Sequence, residues 1–302
     1  MWFKNLYLYK LQQAFPLTAE ALHEQLIARS FIGCLKDQRE SSGWVAPLGR
    51  PSESLVHSAN GYIWVTMAHQ ERMLPSSVVK EELDERVSDL QERENRKLSS
   101  RERKDMREQI EFELLPQAFT RTRQLDAWID PNEQWLVVNT SSAIQAERLT
   151  ALLRKCIDTL PIAAPETSNT PTFLMTHWLT EGVLPPKFAL GEECELRSQG
   201  DDQSVAVFKK HELLSDEVKS NLATGKLVSK LMLTWDQRIS FVLTDTLQIK
   251  RLKFLDVFDE QLNEQDPQSH AERKDIEFTL MTGEVSRLLA DLMACFNPPK
   301  TS

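Results

Sequence analysis

The chain reads as an α+β protein, with antiparallel sheets, packed helices and a projecting helical hairpin. Three observations carry this. Several segments alternate apolar and polar residues at period two and are closed by short turn-forming links. Ser77 to Leu115 contains no Gly or Pro and is crowded with Glu, Arg and Lys, as a pair of long helices would be. The C-terminal region returns to an amphipathic helical period.

In chain order, Trp2 to Leu11 alternates like a strand. Thr18 caps a helix with Leu22, Leu26 and Ile27 on one face, and Asn60-Gly61 makes a hairpin turn before Tyr62 to Ala68. Val79, Leu83, Val87 and Leu90 then form a narrow stripe. Leu98-Ser99-Ser100 interrupts it, and Ser99 with Glu102 offers a capping box for a second helix carrying Met106, Ile110 and Leu114. The tip of this pair carries Arg93, Arg96, Lys97, Arg101, Arg103 and Lys104, which composition alone equally describes as a solvated surface laced with ion pairs. Ala127-Trp128-Ile129 and Trp135 to Val138 flank a turn at Asp130-Pro131-Asn132, so the hairpin interrupts a β-containing domain. Ser142 and Gln145 cap a helix with Ile144, Leu149, Leu152, Leu153 and Cys156, and Pro161 to Pro171 has linker composition.

The second half opens with a short helix around Phe173 to Leu179, a strand from Val205 to Lys210, and a helix between Ser215 and Gly225. Gly225 to Phe254 follows as three alternating segments. Leu227, Leu231, Leu233 and Trp235 share one face of the first, and Ile239, Phe241 and Leu243 continue it in the second, with short links at Asp236-Gln237 and Asp245-Thr246. Residues 255 to 277 carry eight Asp/Glu against two Lys/Arg, and a helix from Glu284 to Phe296 closes the chain. The expected domains are 1–75 with 117–165 as a central α+β unit, 76–116 as a helical tip, and 166–302 as a β-rich base with the C-terminal helix.

The 302 residues carry a net charge of −9, with 41% hydrophobic and 27% charged residues, a balance that excludes global disorder and membrane-spanning classes. Within Gly225 to Phe254, however, six Lys/Arg face only two Asp. The expectation is an antiparallel meander with a cationic open face, formed by Lys226, Lys230, Arg238, Lys250, Arg251 and Lys253 with Lys209 and Lys210 from the preceding strand. On a regular strand Lys250 and Arg251 would point opposite ways. Such a surface suits a polyanion, since each cation that neutralises a phosphate releases counterions. The pattern also describes an ordinary solvated strand face.

Catalytic motifs are lacking. Nine glycines make neither GxxxxGK[ST] nor GxGxxG, none of the six histidines completes HExxH, and no GxSxG elbow occurs. Cys34, Cys156, Cys194 and Cys295 are widely spaced and read as reduced thiols, and the N-terminus lacks the apolar run of a signal peptide, so a cytoplasmic location is expected. Asp201, Asp202, Asp236, Asp245 and Asp256 are formally available to a two-metal nuclease, but with 45 acidic residues such a selection is unspecific. No cofactor or metal is expected, and the chain is not expected to be an enzyme.

WFKNLYLYKL at the N-terminus, Gly43 to Gly49, residues 59 to 61, Leu114 to Arg121, residues 128 to 130 and 152 to 155, Gly225 to Phe241, and residues 249 to 284 together resemble the RdgC family of recombination-associated proteins of proteobacteria, nearly end to end. The resemblance implies a nucleoid-associated, ring-shaped homodimer that binds single- and double-stranded DNA with little sequence preference, has no catalytic activity, and restrains the RecA recombinase during recombination and replication-fork repair. It places Lys209, Lys210 and Lys226 at positions the family uses for DNA, carries Arg96 and Lys97 over similarly, and implies that Phe119 helps close the dimer ring. From the residues alone Phe119 is equally a local core residue. Two other classes stay open: a structure-specific metal-dependent nuclease, and a protein-interaction adaptor using the charged hairpin.

Overall fold

The computed structural model describes residues 2–50, 52–200, 203–255, 267 and 269–298. The fold is α+β, with two antiparallel sheets and several helices.

The first sheet is built from β1 (Tyr7–Leu11), β2 (Glu40–Val45), β3 (Val56–Ala59), β4 (Tyr62–Met73), β5 (Phe119–Asp130), β6 (Trp135–Val138) and β7 (Ile162–Ala163), ordered β2-β4-β5-β6-β1-β7 with β3 also paired to β4. Both faces are covered, which is why β4 and β5 bury neighbouring rather than alternate residues. Val65, Met67, Ile129 and Val138 pack against α1 (Ala19–Ile27) and α4 (Ala143–Arg154). Trp64, Trp128 and Val137, on the other face, belong to a second core shared with the C-terminal helix. The turns follow their chemistry: Asn60 and Gly61 both adopt positive φ, 49° and 81°, in the tight β3–β4 link. Asp130 accepts from the amides of Asn132 and Glu133 to close the β5–β6 loop.

Between β4 and β5 stand α2 (Ser76–Glu94) and α3 (Ser100–Leu114), packed on one another. Asn95 ends α2 in the left-handed region, and Ser99 and Glu102 form the reciprocal capping box that starts α3. The seam is thin, with Val79, Val87 and Ile110 buried, and is supplemented by Arg86, which bonds Glu82 at 2.7 Å and reaches Glu113 of α3 at 2.8 Å. At the root, Arg72 donates to the carbonyls of Leu35, Pro116 and Ala118, and Arg39 pairs with Glu111.

The second sheet has the order β12-β11-β10-β8-β9, from β8 (Phe188–Arg197), β9 (Val205–Lys209), β10 (Leu227–Trp235), β11 (Ile239–Thr244) and β12 (Ile249–Phe254). Its inner face, including Leu231, Leu233, Trp235, Phe241 and Leu243, packs on α5 (Pro171–Glu181), α6 (Asp216–Ala223) and α7 (His270–Phe296). The last helix therefore lies between the two sheets: Phe278 stacks on Trp64 of the first at 5.2 Å, and Asp291 accepts from Trp235 Nε1 of the second. A further seam joins the sheets directly. Leu6 N donates to Ile249 O, Ile249 N returns to Leu6 O, and Leu252 N donates to Lys4 O, so the segment before β1 covers the outer edge of β12.

Four elements differ from expectation. β8 is a ten-residue strand not anticipated, the run 161–171 begins with β7 paired to β1, and α7 starts fourteen residues before Glu284, capped by Ser269. Gln145 provides only half a capping box, because its own side chain accepts from Thr140. Most of the acidic stretch from residue 255 lies outside the described residues.

Candidate nucleic-acid interface

The outer face of the second sheet collects most of the cations singled out above. Strand register fixes which. Lys209 stands opposite Glu193, Lys230 between Glu195 and Thr244, Lys250 opposite Val242, and Lys253 opposite Ser240, all on one face, with Lys209 on one outermost strand and Lys250 and Lys253 on the other. Two irregularities tune this face. Near the start of β10 the register shifts, so that Val228 and Ser229 are both buried and Leu227, opposite Arg197, joins the outer face. In β12 the span from Lys250 to Lys253 matches the shorter span from Val242 to Ser240, an extra residue accommodated at Arg251 with φ 51°. That bulge puts Lys250 and Lys253 on the same side three residues apart, and it replaces the strict alternation expected for Lys250 and Arg251.

The face is not purely cationic. β8 supplies Glu193 and Glu195, and each holds a cation: Arg251 bonds Glu193 at 2.6 Å, and Lys230 bonds Glu195 at 2.5 Å. Glu195 also accepts from Ser229 Oγ at 2.9 Å and from Arg197 at 2.8 Å. Burial would raise its carboxyl, but these bonds from Lys230, Ser229 and Arg197 outweigh burial and pull it down to about 2. Among the described residues Lys209, Lys250 and Lys253 have no carboxylate partner, and Lys209 and Lys253 are exposed. On this face these three lysines are the cations not held by a carboxylate among the described residues.

The remaining candidates are distributed elsewhere. Arg238 is not part of the outer face, because it donates at 3.0 Å to Glu284, a carboxylate of α7 that is only 4% exposed. Lys210 leaves β9 in the left-handed region, and Lys226 is half-buried at the entry to β10 beside Gly225. Arg96 and Lys97 sit in the α2–α3 connection. Arg96 is held by Glu94 and Glu102, both at 2.7 Å, which lowers Glu102 to about 2, while Lys97 is exposed. Phe119 opens β5 opposite Met73 and is 83% exposed, so it is not a local core residue.

The sequence model described as "Putative exonuclease, RdgC" matches residues 1–298. The chain belongs to the RdgC family. Relatives named recombination-associated protein RdgC run its full length. That of Aeromonas hydrophila is 42% identical over 302 residues and covers all of both chains. That of Tolumonas auensis is 38% identical over 300 residues and covers 99% of each, and that of Yersinia pestis 38% over 293 residues, covering 97% of each.

Within this RdgC chain, Asp236 and Asp245 stand at separate turns, and among the described residues no three His, Cys, Asp or Glu side chains group as metal ligands. Asp201, Asp202 and Asp256 lie outside the described residues. The cysteines are unpaired, and burial pushes the Cys194 thiol up to about 12 and that of Cys295 to about 11, far from a reactive thiolate. No described helix is long and apolar enough to cross a membrane. Sequence reading missed Glu193, Glu195 and Arg197, the residues that set the charge balance of the face. Their signal, Glu-Glu-Cys-Glu-Leu-Arg, becomes legible only once β8 is known to lie beside β10.

Proposed function

We propose that this protein is a non-enzymatic DNA-binding protein that engages single- and double-stranded DNA without sequence preference, acts as a ring-like homodimer around it, and restrains RecA-mediated recombination and fork repair in the nucleoid. The observation that carries this reading is the set of lysines without carboxylate partners, Lys209, Lys250 and Lys253, on one face of a sheet in an otherwise acidic chain. Contacts of this type go to phosphates and fix position without reading bases, which suits broad occupancy. Exposed Phe119 at the end of the β4–β5 ribbon supports a self-association contact beside the charged helical pair, the part of the molecule expected to project as the tip. Relatives bearing the recombination-associated name support the cellular context.

The test is binding of labelled duplex and single strand across a salt series with Mg²⁺ present, followed by a gel for cleavage, and a strand-exchange assay in which the protein competes with the recombinase. Salt-sensitive binding of both forms, intact DNA and inhibited exchange are expected. The description of the matching family as an exonuclease gives the second reading its one support. Progressive metal-dependent shortening of DNA ends would establish it and refute the first.

A further inference from the structure

The outward side of α5 carries an aromatic pair that the fold does not need. Phe173 is 60% exposed, although the other side of the same helix already commits Met175, Trp178 and Leu179 to the core. His177, one turn later, is exposed too, and its ring lies parallel to that of Phe173 within 3°, with centroids 6.3 Å apart. The two rings line a groove of about 380 Å³ with Thr170, Thr172, Thr176, Thr180, Leu227 and, at its end, Glu181, a volume in the range of small-molecule sites. Thr176 spends its hydroxyl on the structure, accepting from Val228 N at 3.0 Å and donating to Thr172 O, which fixes the groove floor against β10.

Leu227 connects this groove to the cationic face. It stands directly opposite Arg197, on the outer side of the sheet, and follows Lys226, which has no carboxylate partner among the described residues. A phosphate backbone lying along the sheet would therefore meet Lys226 on one side of Leu227 and, on the other, Arg197, whose guanidinium is shared with Glu195 at 2.8 Å, with two parallel aromatic faces just beyond. Flat, exposed rings flanked by positive charge suit unpaired bases, whose π-faces are free, and not duplex, whose bases are already stacked.

We propose that Phe173 and His177 form a nucleobase-stacking site that gives this protein a hold on single-stranded nucleic acid separate from its phosphate contacts. This deepens the DNA-binding reading and rests on it. Stacking of a base on Phe173 contributes on the order of tenfold in affinity.

The test measures binding of the full-length protein and of Phe173→Ala to three probes of equal length: a mixed-sequence single strand, the same strand made abasic, and duplex. Because Phe173 is outside the core, the variant keeps its fold, checked by its melting temperature, and Phe173→Tyr serves as the flat-faced control. The expected result is a loss of on the order of tenfold by Phe173→Ala on the base-bearing strand alone, no change on the abasic strand or duplex, and recovery in Phe173→Tyr. Equal losses on all probes, no loss on any, or a change confined to oligomeric state by light scattering would each overturn the stacking site while leaving DNA binding in place. Absence of binding by the unaltered protein to all three would remove the DNA-binding reading itself, and the stacking site with it.

Discussion

Replacing Glu195 by Gln isolates the charge balance of the outer face. The carboxylate is 13% exposed and is pulled down from 4.5 to about 2, which corresponds to about 3 kcal/mol before screening. Lys230 is 37% exposed and Arg197 53%, so solvent screening reduces the net contribution to about 1–2 kcal/mol. Because the folded-state value is depressed, this stability is complete above the unfolded value of 4.5 and is lost as pH falls through about 2. At pH 7 Glu195→Gln should therefore unfold at lower urea than the wild type. By about pH 3 most of that gap should be gone, since the wild-type carboxylate is by then giving up its own advantage. The same change releases Lys230 and Arg197, so duplex affinity should rise and the slope of log K against log salt should steepen by about 1–2. Urea titrations at the two pH values with a salt series at neutral pH read both effects. A stability gap independent of pH, or weaker DNA binding by a folded variant, would refute the assignment of Glu195 as the restraint on this face.

Lys209→Gln with Lys210→Gln should lower the salt slope for duplex by about 0.9 for each lysine that meets a phosphate, checked by fluorescence anisotropy. Phe119→Ala should leave the unfolding free energy within about 0.5 kcal/mol of wild type, since the ring is 83% exposed, and should weaken self-association measured by sedimentation; unchanged self-association would exclude a closing role. Asp126 accepts from Trp64 Nε1 at 3.1 Å and Thr66 Oγ1 at 2.6 Å, and burial raises its carboxyl. The ionised form then costs stability as pH rises through the raised value. Asp126→Asn, which keeps the acceptor oxygen, should be at least as stable as wild type at pH 8, whereas Asp126→Ala should lose about 1–3 kcal/mol by orphaning buried donors; thermal melts distinguish them.

Much of the fold was legible because local chemistry and tertiary environment agree there. Ser99 with Glu102, Thr18, Asn60-Gly61 and the paired positive-φ residues Asp236 and Gln237 each satisfy backbone groups within a few residues, so sequence suffices. β8 was hidden because Gly191 and three glutamates break its alternation. Gly191 is required there by Met232, whose Cγ would lie 2.5 Å from any added Cβ, and two of the glutamates, Glu193 and Glu195, are explained by Arg251 and Lys230 on strands distant in sequence. The first half of α7 was obscured for a related reason. It buries a carboxylate where an apolar residue would mark the inward face: Glu277 is 7% exposed and is bonded by Arg273 one turn earlier at 3.1 Å. The lysines were visible as a cluster of charge, but which of them remain free depended on carboxylates from an unrecognised strand.

The hydrogen bonds between residues 4–6 and 249–252 have a consequence for the order of events in synthesis. The earliest of these residues leave the ribosome long before their partners exist, and closing a loop of about 245 residues costs roughly 5 kcal/mol of chain entropy. This seam therefore forms late, after the intervening strands have brought its ends together. Until translation reaches Ile249, the backbone amide and carbonyl of Leu6 remain without their final partners, and the growing chain exposes an edge that a chaperone, or a neighbouring nascent copy on the same messenger, is positioned to occupy first.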